Sequence, residues 1–263
     1  MGLFGKIFEK KSCDICGGDI GLLGNRKLDD GNLCKDCAAK LSPWFSERRS
    51  STVAQIREQL EYREQNKEAV ANFNTTRTLG NRTKVHLDED NRKFMVTSAS
   101  NMREANPDVL DYSQVTGCKL DIDERRSEQK KKDSEGKEVS YVPPRYKYSY
   151  DFYIVIHINA PYFDSIRFKV NNSSIEVIPP NRPGVNAITN VADYARTASL
   201  EFREAEQIGK DIVEALTGVR QQVREEAAAA NRPKIAVTCP FCGASTIPDA
   251  QGRCEYCGGS VNG

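Results

Sequence analysis

The sequence predicts an α+β protein in which an antiparallel β-sheet domain is capped by a long C-terminal helix and flanked by two small cysteine-rich modules. Three observations support this prediction. Eight of the nine cysteines form Cys-x-x-Cys pairs, two near each end of the chain. Between residues 78 and 180, apolar residues alternate with the period of two that is typical of strands. From residue 199 to about 230, they recur on one face of a helix.

The composition is that of a water-soluble chain with a modest core. Of the 263 residues, 38% are hydrophobic and 29% are charged, and the formal net charge is +1. This charge gives no support for binding to duplex DNA, which needs a basic surface. The sequence has no apolar run of the roughly 18 residues that a membrane span requires. We therefore expect a cytoplasmic protein without a transmembrane segment, in which clustered cysteines hold metal and do not form disulfides.

Residues 1–11 are expected to form a short amphipathic segment ahead of the first cysteine. Lysines flank its apolar helical face, which is made by Leu3, Phe4, Ile7 and Phe8. This face could contact an anionic membrane surface or dock on protein. So few apolar side chains bind a membrane weakly, which favours docking on the protein itself or on a partner.

Residues 12–45 form the first predicted module, whose ligand pairs are Cys13/Cys16 and Cys34/Cys37. A Cys-x-x-Cys turn directs two sulfurs at one metal ion, and the second pair completes a tetrahedron. Residues 28–33 have the composition of a hairpin turn between short strands. The residues after Cys37 are expected to continue as a helix that ends before Pro43. The adjacent Trp44, the only tryptophan, is expected to cover the metal site or the module boundary, and an exposed role in stacking on a ligand is the less favoured alternative.

Residues 46–77 are predicted to be a connector that contains a polar helix from about residue 51 to 73. The apolar stripe of this helix is thin, so we expect it to pack on one side only. Charged residues along it, Arg63 among them, are assigned to a solvated face.

Residues 78–230 are predicted to form the sheet domain together with its capping helix. Strands are expected at 84–87, 93–97, 115–122, 148–158, 165–170 and 175–178. Thr116 and Cys118 are assigned to the inward face of the third of these strands. The wholly polar stretch 124–137 is expected to be a long solvated loop, because it contains no apolar residue and its charges of both signs nearly cancel.

Residues 231–263 comprise a linker and the second predicted module, a zinc ribbon made of two Cys-x-x-Cys-Gly knuckles. Its ligands are Cys239, Cys242, Cys254 and Cys257, and the eleven residues between the two pairs are expected to form one hairpin. About two dozen residues bury too little surface to fold alone. Metal binding is therefore expected to supply much of the free energy of folding of this module.

The other chemically active side chains are assigned structural roles. Cys118 is expected to be a buried small hydrophobic residue, and His86 and His157 are expected to lie at the surface or at a strand edge. The sequence contains no P-loop, no Gly-x-Ser-x-Gly motif and no His-Glu-x-x-His motif. We therefore assign no catalytic residues and do not expect an enzyme.

The first module resembles that of a bacterial family of unknown function. The resemblance rests on Cys13-Asp-Ile-Cys16-Gly17-Gly18, Leu28-Asp29-Asp30-Gly31, Cys34-Lys-Asp-Cys37-Ala38 and Pro43-Trp44-Phe45. It implies a treble-clef-like or zinc-ribbon fold for about the first 45 residues and lends no activity. The order of strands and final helix in the middle of the chain resembles a bacterial pleckstrin-homology-like (PH-like) domain, which implies a curved, barrel-like sheet. Such domains bind lipid headgroups, peptides or proteins, and the resemblance does not choose among them.

The leading functional hypothesis is a non-enzymatic adaptor or scaffold protein with two structural Zn²⁺ ions and an unidentified protein partner. Zinc is favoured over iron, although four sulfurs suit both. The first alternative is nucleic-acid binding through Arg253, Phe241 and Tyr256 of the second module. The second alternative is recruitment to a membrane surface through residues 1–11 or through the sheet domain. A Cys-x-x-Cys redox enzyme is least favoured, because each pair has a matched second pair nearby.

Overall fold

The computed structural model describes residues 11–180, 191–230, 236–249 and 251–261. The chain divides into two compact units, Met1–Arg220 and Gln221–Gly263. The apolar face predicted for Leu3, Phe4, Ile7 and Phe8 lies outside the described residues. No helix within the described residues is long and apolar enough to cross a membrane.

The first module is built from two short hairpins and one helical turn. Strand β1 (Lys11–Ser12) pairs with β2 (Asp19–Ile20), and β3 (Arg26–Lys27) pairs with β4 (Asn32–Leu33). The hairpin predicted for residues 28–33 is therefore confirmed. Helix α1 (Lys35–Ala38) follows at once and is a single turn, which ends five residues before Pro43.

Helix α2 (Val53–Ala71) confirms the predicted polar connector helix. It begins with a capping box, in which the Thr52 hydroxyl accepts a hydrogen bond from the Gln55 backbone N–H while the Gln55 side chain accepts one from the Thr52 N–H. Its buried stripe is mostly polar and consists of Ile56, Gln59, Arg63, Asn66 and Val70. The assignment of Arg63 to a solvated face is therefore wrong, since only 5% of this residue is exposed.

A first four-stranded antiparallel sheet follows helix α2. Its strands lie in chain order and are β5 (Arg77–Leu79), β6 (Lys84–Asp88), β7 (Lys93–Thr97) and β8 (Leu110–Asp111). A short helix, α3 (Met102–Ala105), lies between β7 and β8. Successive residues of β6 and β7 are buried on both sides of the sheet, so His86 is 7% exposed and not a surface residue as predicted. Its Nδ1 lies 3.1 Å from the Thr78 hydroxyl on β5.

The second sheet is organised around two very long strands. Strand β9 (Val115–Lys132) pairs along one edge of β10 (Glu138–Ile158), while two short strands share the other edge, namely β11 (Ser165–Lys169) and β12 (Ile175–Val177). A register shift near the end of β10 places Val115, and not Thr116, opposite Ile158. Thr116 is consequently exposed, which corrects its predicted inward position.

The predicted loop at 124–137 is wrong, because most of it is β-sheet. Strand β9 stays paired with β10 out to Lys132 opposite Glu138, and Asp133 caps a tight turn by accepting the Glu135 and Lys137 backbone N–H groups. Residues 127–147 pair only with each other among the described strands, so they form a two-stranded projection that we call the hairpin arm. Both faces of the arm are largely exposed, so neither face needs apolar residues. Residues 124–137 therefore lack the alternation of apolar and polar residues by which a strand is recognised in sequence.

The expected barrel-like closure is also wrong. Strands β8 and β9 are joined by a 3-10 turn (Tyr112–Gln114) and do not pair, and each sheet keeps its own ladder among the described strands. The antiparallel strands therefore form two open sheets and not a single curved one.

A long C-terminal helix packs against the second sheet, as predicted. Helix α4 (Val191–Ala198) leads into α5 (Leu200–Ala230). The Phe202 ring on α5 meets the rings of Tyr150 and Phe152 on β10 edge-on, at centroid distances of 5.0 and 4.9 Å. Further along the same helix, Gly209 lies directly over the Leu120 side chain of β9.

Candidate metal centres

The first ligand pair lies on a tight turn between β1 and β2. The Cys13 backbone N–H donates to the Gly18 carbonyl oxygen (2.9 Å), and the Gly17 N–H donates back to the Cys13 carbonyl oxygen (2.8 Å). Gly17 has φ of +73°, in the left-handed region where a side chain is disfavoured. This closed turn brings the sulfurs of Cys13 and Cys16 to the same side of the backbone.

The second pair is carried by the start of α1. Cys34 is the N-cap of this helix, and its sulfur accepts the Cys37 backbone N–H at 3.3 Å. The Cys34 backbone N–H in turn donates to the Cys13 sulfur at 3.3 Å. The first module therefore carries its ligand pairs on a knuckle and on the start of a helical turn that follows a short hairpin.

The four sulfurs of this module meet at one point. All lie within 4.8 Å of one another, and those of Cys16 and Cys34 are 3.8 Å apart. Four sulfurs about 2.3 Å from one Zn²⁺ at tetrahedral angles lie about 3.8 Å apart. A disulfide would bring two sulfurs to about 2.0 Å. The spacing therefore fits a shared metal ion.

The electrostatics of this cluster also favour a cation. Burial raises the pKa of the Cys13 thiol, but hydrogen bonds from the backbone of Cys16, Cys34 and Ile15 outweigh it and bring the pKa to about 6. The pKa of Cys37 is raised, first by burial and then by its contacts with the neighbouring sulfurs. Sulfurs this close cannot all ionise unless a positive charge lies between them, which a divalent metal ion supplies.

A small hydrophobic core supports the first site. Leu28, Leu33 and Ile56 are fully buried there beside Cys13 and Cys37, and Val53, Phe45 and Leu60 pack around them. Because Ile56 lies on α2, the core of the module extends past residue 45 into the connector helix.

The second site is made of two copies of the same knuckle. The first begins at Cys239, whose N–H donates to the Ala244 carbonyl oxygen while Gly243 N–H donates back to Cys239, both at 2.9 Å. The second repeats these bonds at 2.8 Å between Cys254 and Gly259 and between Gly258 and Cys254. The two glycines at the equivalent position, Gly243 and Gly258, have φ of +72° and +70°, matching Gly17 of the first module.

In this unit, the chain segments that pair with each other are the ones on either side of each knuckle, and not the two ends of the segment that joins the two knuckles. Strand β13 (Val237–Thr238) pairs with β14 (Ser245–Thr246) across the first knuckle, and Arg253 bridges Ser260 across the second. The hairpin predicted between the two ligand pairs is therefore misplaced. Its centre holds instead a turn closed by Asp249, which accepts the backbone N–H groups of Gln251 and Arg253.

The sulfurs of the second site have the same geometry as those of the first. Cys239 and Cys257 are 3.6 Å apart, Cys242 and Cys254 are 3.7 Å apart, and all four lie within 4.8 Å of one another.

The pKa values of the thiols in the second site are also shifted in opposite directions. Desolvation raises the pKa of Cys254, but backbone hydrogen bonds from Cys257 and Tyr256 lower it to about 6. At Cys257 the backbone hydrogen bond to Gly259 lowers the pKa, but contacts with neighbouring thiols outweigh it and raise the pKa to about 12. The structure thus contains two tetra-cysteine sites that could each hold a metal ion such as zinc.

Comparison with known proteins identifies only the first of these regions. Residues 11–59 match DUF4428, a domain of unknown function. The DUF4428 segment contains Cys13, Cys16, Cys34 and Cys37, and it ends within α2 just after the buried Ile56, consistent with the extent of the module core. Neither a curated protein nor a solved structure matches the chain.

The DUF4428 segment is joined to the first sheet by a buried polar network that the sequence did not reveal. Arg63 on α2 donates to the Asp108 carboxylate (2.7 Å), to the Asn106 carbonyl oxygen and to the Lys40 carbonyl oxygen (3.3 Å). The other Asp108 oxygen accepts the Ser42 hydroxyl at 2.8 Å. Both charged side chains are at least nine-tenths buried. We call this set the junction network.

Asn66, one turn further along α2, completes the junction network. Its side-chain amide donates to Asn106 Oδ1 (2.7 Å) and to the Pro107 carbonyl oxygen (2.8 Å), and its Oδ1 accepts the Val109 backbone N–H (3.0 Å). The loop before β8 is therefore held on α2 by side chains on both partners. This network fixes the position of the DUF4428 segment relative to the first sheet.

A groove opens where three parts of this unit meet. It is lined by residues 44–47 after α1, by Ser51, Gln55 and Glu58 around the start of α2, and by residues 160–165, which form the turn after β10 and the first residue of β11. Its volume is about 420 Å³. We call it the junction groove. Trp44 lies in its wall and is half-buried, consistent with the predicted position at the module boundary.

The remaining candidate residues are not metal ligands. Cys118 is half-buried and not fully buried as predicted, and burial raises its pKa to about 12, so the thiol stays protonated at neutral pH. His157 is exposed on β10, as predicted. Phe241 and Tyr256 project from the two knuckles of the second site, and each is 71% exposed.

Proposed function

We propose that this chain is a non-enzymatic, zinc-stabilised adaptor protein that binds a segment of a partner protein in the junction groove. The observation that carries the proposal is the groove itself, which is walled jointly by the DUF4428 segment and the sheet domain. A volume of about 420 Å³ lies within the roughly 300–1,000 Å³ that is usual for ligand sites.

In this proposal the metals act as structural ions. Four cysteine sulfurs fill every position of a tetrahedral site, so no position remains for water or substrate. The ion at Cys13, Cys16, Cys34 and Cys37 holds the strand and helix that precede Trp44. The junction network then fixes this module against the first sheet, and the Tyr62 ring of α2 contacts the Tyr162 ring in the opposite wall of the groove, with centroids 5.3 Å apart.

An affinity pulldown from cell extract tests the proposal. The bait is the full chain, compared with Tyr162→Ala in the groove and with Tyr146→Ala on the hairpin arm as a matched control. We expect a reproducible protein that the wild type and the arm variant capture and that the groove variant loses. Metal content and circular dichroism verify that each variant is folded. Equal capture by all three baits, or no reproducible capture, would refute the proposal.

A second candidate function is binding to single-stranded nucleic acid by the second metal site. Phe241 and Tyr256 expose most of their rings from equivalent places on the two knuckles, and Arg253 lies exposed between them in the sequence. Exposed aromatic rings beside a cation are the features on which unpaired bases stack. The acidic neighbours Asp249 and Glu255 reduce the positive potential there.

Gel-shift titrations with oligothymidine and oligoadenosine test this second candidate. The full chain is compared with Phe241→Ser and Tyr256→Ser, and with Phe73→Ser as a variant outside the knuckles. We expect each knuckle variant to weaken binding about tenfold, the usual contribution of one stacked base. Absence of a shift at low salt rules the candidate out.

A further inference from the structure

The junction groove has aromatic walls on two sides. Trp44 and Phe45 come from the segment that follows α1, and Tyr162 and Phe163 come from the turn between β10 and β11. Tyr162 is held in place by Tyr62 of α2, whose ring centroid lies 5.3 Å away. Phe163 is buried and the other three residues are half-buried, so part of each of those three side chains faces solvent.

Every charged side chain in the lining of this groove is acidic. Glu47, Glu58 and Asp164 contribute carboxylates, and no lysine, arginine or histidine is among the lining residues. Within the described part of the chain none of the three forms an ion pair. All three are exposed, and the only side-chain hydrogen bond to one of these carboxylates from the described residues is that of the Ser165 hydroxyl to Asp164, at 3.0 Å.

Carboxylates also lie close enough to the aromatic wall to raise the pKa of one of its residues. Burial raises the pKa of the Tyr162 hydroxyl, and the negative charges of Glu58 and Glu61 raise it further. The face of an aromatic ring also carries partial negative charge. The groove therefore has negative potential both at its rim and along its walls.

We infer that the junction groove binds a positively charged side chain, an arginine or a lysine, carried by an extended segment of a partner protein. This inference rests on the proposed adaptor function and names the chemistry of its partner. Trp44 and Tyr162 supply ring faces for a cation, and Glu58 and Asp164 supply carboxylates for its N–H groups. Because none of the lining residues is a cation, the charge of the groove is neutralised by the ligand.

Binding in the junction groove can be followed by tryptophan fluorescence, because Trp44 lies in the groove wall and is the only tryptophan of the chain. The full chain is titrated with end-blocked peptides of six arginines, six lysines or six glutamates while its fluorescence is followed. We expect the two basic peptides to change the emission saturably and the acidic peptide to have no effect. A response to choline without a response to either basic peptide would overturn the inference in favour of a small amine ligand.

Substitutions distinguish binding of the basic peptide in the groove from its nonspecific attraction to acidic side chains elsewhere on the surface. Glu58→Gln and Asp164→Asn are each expected to weaken binding of the arginine peptide about tenfold, as the loss of one charge-assisted contact does. Glu138→Gln, an exposed carboxylate on the hairpin arm, serves as the matched control and should leave the affinity unchanged. Equal weakening by all three variants would overturn the inference.

The same reagents distinguish failure of this inference from failure of the adaptor proposal. In one outcome, capture of the partner depends on Tyr162, and the glutamate peptide displaces the partner whereas the arginine peptide does not. This outcome would support the adaptor function but would refute a positively charged ligand. Displacement by the arginine peptide supports both proposals.

Discussion

Arg63 joins three parts of the chain through one side chain. Its guanidinium contacts Asp108 before β8 and the carbonyl oxygens of Asn106 and Lys40, the last of which lies in the DUF4428 segment. The planar guanidinium has five N–H donors, so it can satisfy several acceptors at once where lysine cannot. The position is therefore a structural junction, although the sequence assigns Arg63 to the solvated face of its helix.

Removing this guanidinium should be strongly destabilising. Arg63→Met leaves the Asp108 carboxylate buried without its charged partner, and breaking a buried pair in this way costs about 3–5 kcal/mol. The free energy of unfolding is measured from urea transitions followed by Trp44 fluorescence. Lys67→Met, which removes the exposed pair with Glu64 on the same helix, is the control and should cost less than about 1 kcal/mol.

A double variant tests the reason for that loss. Arg63→Met combined with Asp108→Asn leaves no charge from this pair, so it should be more stable than Arg63→Met alone. A double variant that is less stable than the single one would show that the carboxylate is not the source of the penalty.

The knuckle glycines make a second residue-scale prediction. Gly17 has φ of +73°, and nothing lies within 4 Å of the place where an added Cβ would stand, so the cost of Gly17→Ala comes from its backbone alone. A left-handed non-glycine residue costs roughly 1–2 kcal/mol. In a competition assay with a zinc chelator we expect this variant to weaken metal binding at the first site about tenfold.

The nearby Gly21 is the control for that experiment. It also has open space around it but does not have a positive φ of the kind found at Gly17. Gly21→Ala should therefore leave the metal affinity unchanged. Loss of affinity in both variants would contradict a conformational role for Gly17.

At the scale of elements, the contact between α5 and β9 depends on one glycine. A methyl group at Gly209 would come within 2.5 Å of Leu120 Cδ1, whereas one at Gly218 on the same helix would meet nothing within 4 Å. Both Gly→Ala changes gain about 1 kcal/mol of helix propensity. Only the first also forces the helix or Leu120 to move, which costs about 1–3 kcal/mol.

We therefore expect Gly218→Ala to be more stable than Gly209→Ala by at least about 1 kcal/mol, with Gly218→Ala at or above the wild type. Thermal unfolding followed by circular dichroism measures both. Equal stability of the two variants would mean that α5 does not approach the sheet as closely as the structure shows.

Elements with apolar periodicity could be predicted from the sequence, and polar ones could not. Strands β6, β7, β11 and β12 and helix α5 follow their hydrophobic patterns closely. The position of α2 was also predicted, but its mostly polar buried stripe was not. The hairpin arm was missed because both its faces are exposed, so its residues carry no alternation to detect. The buried role of Arg63 was missed because its partner, Asp108, is 45 residues away and only the fold brings them together.

The metal ligands, in contrast, could all be predicted from the sequence. Their spacing is local, and a knuckle requires only a few residues and a glycine at a fixed position, such as Gly17, Gly243 and Gly258. The groove is not local, since Trp44 and Tyr162 are brought together by packing between separate elements. No sequence pattern could have placed them around the same groove.

At the scale of the whole molecule, the two tetra-cysteine sites predict a metal content of two ions per chain. Plasma mass spectrometry on the purified protein should find two Zn²⁺, and Cys13→Ser or Cys239→Ser should each reduce the count to one. Cys118→Ser removes a thiol outside both clusters and should leave the count at two. Iron with visible absorbance in place of zinc would contradict the assignment.

Loss of the two ions should affect the chain differently. The first site shares its core with Ile56 of α2, so Cys13→Ser should also shift the urea transition that Trp44 reports. Cys239→Ser lies in the other compact unit, Gln221–Gly263, and should leave that transition unchanged. A shift caused by both variants would contradict the independence of the two units.

Among the described residues, no strand pairs with the outer edges of the hairpin arm along residues 127–147, which lie beyond β11 and β12. Such edges are templates on which a second chain can add a strand and begin aggregation. Pro143 and Pro144 have no N–H to offer, the register shift between Ser140 and Arg145 interrupts the ladder, and lysines and arginines are frequent along both strands. The same polar sequence that gives the arm no apolar alternation therefore disfavours the addition of a strand from a second chain.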